Sequence, residues 1–193
     1  MRLFAAAITL SGFVAGPALA QDKPFEGASV TVIGGVEVSQ SFGDAKVGAL
    51  YGGQLGYDWQ SDHIVFGLEG EVTGATATDC TTYYYPGGAN ARSCEKPGRD
   101  LYVGGRVGTV LGESTLLYAK GGYTNLRRAF DYTSGGSGPA SYSGSGTTDG
   151  FRVGLGVEKR LESGLTLKTE YRYSNHEGPY SSHQAVVGLG YRF

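Results

Sequence analysis

The feature that most constrains this chain is an alternation of apolar with small or polar residues that returns again and again along its length. It is plainest over 183–193, where Ala185, Val187, Leu189, Tyr191 and Phe193 take every second position. Gln184, Gly188, Gly190 and Arg192 lie between them, with Val186 the one apolar member of that set. A period of two belongs to an extended strand with two unlike faces. Such a strand needs a partner on each edge, or it presents a row of unpaired N–H and C=O groups.

Seven earlier runs repeat the pattern. The first sets Ala28, Val30, Val32, Val36 and Val38 against Ser29, Thr31, Ile33, Gly35, Glu37 and Ser39. The second sets Val47, Ala49, Tyr51, Leu55, Tyr57 and Trp59 against Gly48, Leu50, Gly52, Gln54, Gly56 and Asp58. In the third, Ile64, Phe66, Leu68 and Val72 oppose Gly67, Glu69, Glu71 and Thr73. Leu101, Val103 and Val107 then oppose Tyr102, Gly104, Arg106 and Gly108, and Leu117, Ala119 and Tyr123 oppose Tyr118, Lys120, Gly122 and Thr124. The sixth places Phe151, Val153, Leu155 and Val157 against Arg152, Gly154, Gly156 and Glu158. The seventh places Leu165, Leu167, Tyr171 and Tyr173 against Thr166, Lys168, Glu170 and Arg172.

Each run has the length of about ten residues that a tilted strand needs to cross a bilayer. The intervals alternate in kind. Stretches 40–46, 74–99, 126–149 and 175–181 read as loops at one end, and Ser61-Asp62, Gly112-Glu113-Ser114 and Glu162-Ser163-Gly164 read as tight turns at the other. The spacing predicts an all-β fold, an up-and-down antiparallel sheet whose even strand count lets the eighth strand close against the first.

Volume decides which face looks inward. An eight-stranded barrel has an interior just wide enough for side chains to fill. The apolar set carries Tyr51, Tyr57, Trp59, Phe66, Tyr123, Phe151, Tyr171, Tyr173, Tyr191 and Phe193, too many rings for that space. The opposite set is rich in Gly, which suits a crowded interior and would cost backbone entropy without return on a wet surface. It also holds balanced charge, Glu37, Asp58, Glu69, Glu71, Glu158 and Glu170 against Arg106, Lys120, Arg152, Lys168, Arg172 and Arg192. Confined charges require partners. The expected architecture is therefore a membrane barrel with an apolar skin and a lumen plugged by paired charges. Tyr57, Trp59 and Phe66, with Tyr191 and Phe193, would form a girdle at the short-turn interface, and Tyr123, Tyr171 and Tyr173 one at the other.

Residues 1–20 have the parts of a secretory signal: Arg2, a mostly apolar stretch over 3–14, and the small-x-small site Ala18-Leu19-Ala20. The barrel domain is then 21–193, and the formal charge moves from −2 to −3 with the loss of Arg2. That excludes the basic excess of a nucleic-acid binder. An exported chain gives Cys80 and Cys94 an oxidising compartment in which to pair, and two Cys without a nearby His fall short of a zinc site. Tyr83, Tyr84 and Tyr85 in the same stretch make an aromatic contact surface.

The chain resembles the small eight-stranded outer-membrane barrels of Gram-negative bacteria, the class of the OmpA membrane domain, OmpX and the opacity-type surface antigens. The resemblance is carried by Leu116-Leu117-Tyr118-Ala119-Lys120-Gly121-Gly122-Tyr123, Gly154-Leu155-Gly156-Val157-Glu158, Thr169-Glu170-Tyr171-Arg172-Tyr173 and Val187-Gly188-Leu189-Gly190-Tyr191-Arg192-Phe193. It implies outer-membrane lipid and lipopolysaccharide as surroundings. It also implies an assembly signal in Leu189, Tyr191 and Phe193 read by the barrel-assembly machinery; the sequence stops there, and the peptidoglycan-binding domain that follows the barrel in OmpA itself is not expected. Lipid A deacylases share the architecture and carry a stretch resembling His-x-Ser-Asn. Here Arg172-Tyr173-Ser174-Asn175 stands in its place without the His, and His176-Glu177 is wrongly spaced. His63 and His183 are isolated near strand ends. No phosphate-loop Lys-Ser/Thr follows the Gly clusters. The expected function is thus structural and surface-facing, without catalysis or cofactor. It covers envelope integrity and adhesion or recognition through 74–99 and 126–149, in a monomer. A narrow channel for small solutes is the alternative.

Overall fold

In β1 (Gly27–Ser41) the odd and even positions part cleanly. Val30, Val32 and Val36 lie exposed on the outer surface, and Thr31, Ile33 and Glu37 are buried. The computed structural model describes residues 23–41, 44–76, 78–84, 90–135 and 140–193. The signal read over 1–20 and Tyr85 fall outside them. The remaining strands are β2 (Asp44–Ser61), β3 (Ile64–Ala75), β4 (Asp79–Tyr84), β5 (Asn90–Leu111), β6 (Thr115–Gly135), β7 (Tyr142–Arg160), β8 (Leu165–His176) and β9 (Tyr180–Arg192).

Eight of these strands form the expected closed antiparallel barrel. β1 pairs with both β2 and β9, so that Val32 stands between Gly53 and Leu189, and β3 closes the ring by pairing with β5. The edges of β9 therefore meet β8 and β1. Residues 23–26, Phe193 and all three tight turns lie at one end. All three turns use left-handed backbone, at Asp62 (φ 50°), at Gly112 (φ 65°) and at Ser163 and Gly164 (φ 65° and 82°).

The loops expected over 40–46, 74–99, 126–149 and 175–181 need correction. β1 runs to Ser41 and β2 starts at Asp44, while β8 runs to His176 and β9 starts at Tyr180, so these two connections are short. The other two stretches are largely strand. β5, β6 and β7 hold 22, 21 and 19 residues, about twice what a tilted strand needs to cross a bilayer. β4 is a ninth strand, outside the ring, paired with β5. Apolar alternation fades there because both faces of the sheet meet water, whereas the backbone ladder continues without needing an apolar face.

Two small apolar clusters sit inside the barrel, with charged side chains between them along the strands. Phe25, Val65, Val110, Leu116 and Tyr118 fill the short-turn end, and Ile33, Leu50 and Val186 pack further up. Phe25 precedes β1 and turns into the mouth as a cork. Its N–H donates to Gln60 Oε1 at 2.9 Å and its carbonyl accepts from Arg192 at 2.7 Å, while Arg160 donates to the Pro24 carbonyl. Burying such a ring contributes roughly 1.5–3 kcal/mol.

Candidate functional site

The inward parity of each strand delivers its polar residues to the lumen, where the charged side chains are almost wholly buried. They assemble into two clusters. In the lower one Arg106 grips Asp58 through Nε and Nη2 at 2.8 and 2.5 Å and reaches Glu158 with Nη1 at 2.8 Å. Arg192 completes the square, Nη1 on Asp58 at 2.7 Å and Nη2 on Glu158 at 2.9 Å. Two guanidinium and two carboxylate groups, each from a different strand, pair with one another, leaving Arg192 Nε buried without a hydrogen-bond partner.

The upper cluster centres on Glu71, which meets Arg152 at 2.8 Å, Lys120 at 3.3 Å and Arg172. Lys120 also pairs with Glu69, and Glu170 lies 3.3 Å from Lys168 and 3.5 Å from Arg172. Arg152 extends the network to Asp100. Gln54 donates to Glu69 at 2.5 Å and accepts from Lys168. Tyr118 joins the two clusters. Its hydroxyl donates to Glu170 at 2.6 Å while Arg106 lies over its ring at 5.0 Å. Tyr102 lies beneath Lys120 and Arg152, and a Cβ on Gly122 would come within 3.0 Å of that ring, so Gly is required there.

Eleven of the twelve charged residues read as lumenal are in these clusters; the twelfth, Glu37, stands apart. It is buried facing inward, accepting from Gln184 Nε2 at 2.5 Å and from Ser39 at 2.6 Å. Asp100 takes the sixth acidic place. It follows directly on the stretch 74–99 expected to be a loop, and its parity with Tyr102, Gly104 and Arg106 marks it as inward. Glu69 and Glu71 pair with Lys120 but not with Arg106, which serves Asp58 and Glu158 instead. Phe25 was also missed, its signal a lone ring in a polar stretch before the first run.

On the outer surface Trp59 stacks on Phe66 at 5.7 Å, Tyr57 lies 4.9 Å from Trp59, and Tyr191 meets Phe193 at 5.1 Å, all near the short turns. Towards the other end Tyr171 bonds His183 at 2.6 Å, Tyr173 lies beside the same imidazole, and Tyr123 donates to Asp149 at 2.5 Å. Between these two sets the exposed side chains are aliphatic, among them Val32, Leu55, Leu68, Val103, Leu155 and Leu189.

Beyond the upper set a four-stranded sheet projects, in the order β4, β5, β6, β7. Cys80 and Cys94 face each other across β4 and β5 and are joined by a disulfide. Lys96 pairs with Asp131 at 2.8 Å, and Arg128 bonds Glu95 at 2.6 Å and lies over the Tyr180 ring at 3.9 Å. The sheet has two free edges among the described residues. β4 pairs only with β5, and β7 has no β8 partner beyond Gly150. Tyr83, Tyr84, Phe130 and Tyr142 are exposed on it, Tyr84 at 83%. Phe130 and Tyr132 both pack on Tyr142. A cavity of about 50 Å³, lined in part by Glu37, Asp100 and Arg128, remains where the sheet meets the barrel mouth, room for a few waters. Among the described residues no group of His, Cys, Asp and Glu is arranged to hold a metal ion.

The model of the outer membrane protein beta-barrel domain matches residues 5–193. The 31 kDa outer-membrane immunogenic protein of Brucella melitensis is 28% identical over 170 residues, covering 78% of this chain and 69% of that protein. Neisserial surface protein A superposes with a TM-score of 0.57 at 14% identity, over 87% of this chain and 98% of the other. Ail, the attachment invasion locus protein of Yersinia pestis, gives 0.55 at 19% identity, over 87% and 99%.

Proposed function

The chain belongs to the outer-membrane protein β-barrel family, and from that premise we propose that it is a non-enzymatic surface protein whose plugged barrel carries a recognition sheet. It is an integral protein of the outer membrane, with short turns on the periplasmic side and the long hairpins outside the cell. The observation that carries the proposal is the projecting sheet. A barrel that only sealed or stiffened the membrane has no use for strands of twice the spanning length, and two free edges with exposed Tyr and Phe offer backbone and side-chain contacts to a partner. Replacing residues 79–95 and 127–147 by short turns, with outer-membrane level held equal, should abolish binding of the bacterium to host cells or matrix. Undiminished binding would refute the reading.

The channel alternative needs a water path past Arg152, Arg172 and Arg192, all fully buried in the two clusters. Reproducible conductance steps from the purified barrel in a planar bilayer would favour it. For catalysis, the absent His of the deacylase-like stretch is the argument against, and unchanged lipid A masses after incubation with pure protein are expected. Cleavage after Ala20, anchoring by the two aromatic girdles, recognition of Leu189, Tyr191 and Phe193 by the assembly machinery, and a monomeric state complete the proposal.

A further inference from the structure

Glu37 is the one carboxylate of the lumen that meets no cation among the described residues. Asp58, Glu69, Glu71, Asp100, Glu158 and Glu170 each have a lysine or arginine across the bore. Glu37 is 9% exposed and accepts from two neutral groups alone, Ser39 on Oε1 and Gln184 on Oε2. A buried charge without a counter-charge is costly to keep. One acceptor position also stays open on each of its oxygens, since a carboxylate oxygen takes two hydrogen bonds.

The surroundings of Glu37 are short of donors as well. The Gln184 amide that bonds it has its own Oε1 buried without a partner, and His176 Nε2, at the top of β8, is buried without one too. Glu37 stands on the wall of the cavity of about 50 Å³ where the projecting sheet meets the barrel mouth. The other carboxylates on that wall are already paired, Asp100 with Arg152 and Glu95 with Arg128. Lys46 borders the cavity at its rim, exposed to water, where its charge is screened. Leu50, Ala75, Pro97 and Leu126 make the remaining wall largely apolar.

These features select a kind of ligand. Space for a few waters is space for an ammonium group and the first methylenes behind it. Three N–H donors suit a carboxylate with acceptor positions to spare. A hard metal cation calls for six or more oxygen ligands, which one open carboxylate does not supply. A quaternary ammonium has no N–H to give and a broader head. Apolar walls beside the carboxylate suit a methylene stem, as they suit the stem of a lysine. We propose that the barrel mouth binds a primary alkylammonium ion from the extracellular side, its head on Glu37 and its stem against Leu50 and Leu126. This site is separate from the faces and edges of the recognition sheet, and it stands whether or not that sheet binds a partner.

The test is calorimetric titration of the folded mature barrel, in a nonionic detergent, with the diamine cadaverine. The diol of the same chain length and the analogue with trimethylammonium ends are titrated beside it. Heat-modifiable migration checks that each variant is folded. One cadaverine per barrel should bind, and neither analogue should. Glu37→Gln, which keeps the shape and removes the charge, should weaken binding about tenfold, the loss of a charge-assisted contact. The same variant without ligand should unfold at the parent's urea midpoint or above it, because the charge removed had no partner. Leu126→Trp, which fills the cavity, should weaken binding without touching the charge. Glu113→Gln, exposed at the opposite end, should bind as the parent does. No binding of cadaverine to the parent, equal binding of either analogue, or unchanged binding by Glu37→Gln would overturn the proposal.

Discussion

Arg192 donates to the carbonyl of Phe25 at 2.7 Å and to Asp58 at the same distance, so a strand-end residue of β9 ties the cork, β2 and β9 together. A single side chain thus closes the seam and seats the plug. Arg192→Met would leave Asp58 and Glu158 leaning on Arg106 alone, with the Phe25 carbonyl unpaired. Removing one partner of a buried ion pair costs about 3–5 kcal/mol, far more than the net worth of the pair itself. Urea unfolding in lipid vesicles, followed by Trp59 fluorescence, should show a loss of that size, partly restored by Arg192→Lys.

The cork should respond to acid. The Lys23 ammonium and then the Gln60 N–H, both donating to Glu26, hold its carboxyl below the usual carboxylate range. Because the depression exists only in the folded chain, the tether is fully present above about pH 4.5 and fades as the pH falls through the lower folded value. Hydrogen exchange at the Phe25 amide should accelerate across that window in the parent protein. In Glu26→Gln the rate, corrected for intrinsic exchange, should be flat.

Cutting the disulfide should be felt locally. Cys80 and Cys94 restrain a hairpin outside the membrane band, a loop whose closure is worth about 3 kcal/mol in the chain-entropy model. The variant Cys80→Ser/Cys94→Ser should lose protection of β4 against protease, with cleavage at Arg92 as the readout. The barrel's heat-modifiable transition should not move.

Deleting Phe193 separates assembly from stability. Its ring is 71% exposed, meets Tyr191 at 5.1 Å and buries little against the protein. Its loss should slow insertion in cells markedly, while barrels refolded in detergent unfold at the parent's urea midpoint within about 0.5 kcal/mol. Normal insertion of the truncated protein would remove Phe193 from the assembly signal.

Alternation made the barrel legible, because a period of two reports both strand and face at once. Parity alone found most of the lumenal charges. It failed where the pattern was cut too early, at Asp100, and where a side chain enters from outside any strand, at Phe25. Pairing was not legible in the same way. Arg106 and Glu69 face inward on neighbouring strands, yet Arg106 reaches across the lumen to Glu158, and only the closed circle fixes which charges are opposite. The hairpins over 126–149 were hidden for a different reason. A strand wet on both faces has no apolar signature, and Ser and Gly there suggest a loop when a backbone ladder is all that persists.

The ion pairs mostly join strands that are not neighbours. Arg192 of β9 meets Asp58 of β2, and Arg152 of β7 meets Glu71 of β3. Backbone ladders run round the wall of such a cylinder and resist stretching of its circumference, but they do little against flattening. Charges joined across the bore behave as the spokes of a wheel. They hold the diameter in several directions at two heights, so lateral pressure from the bilayer meets a ring that cannot easily be squeezed into an ellipse.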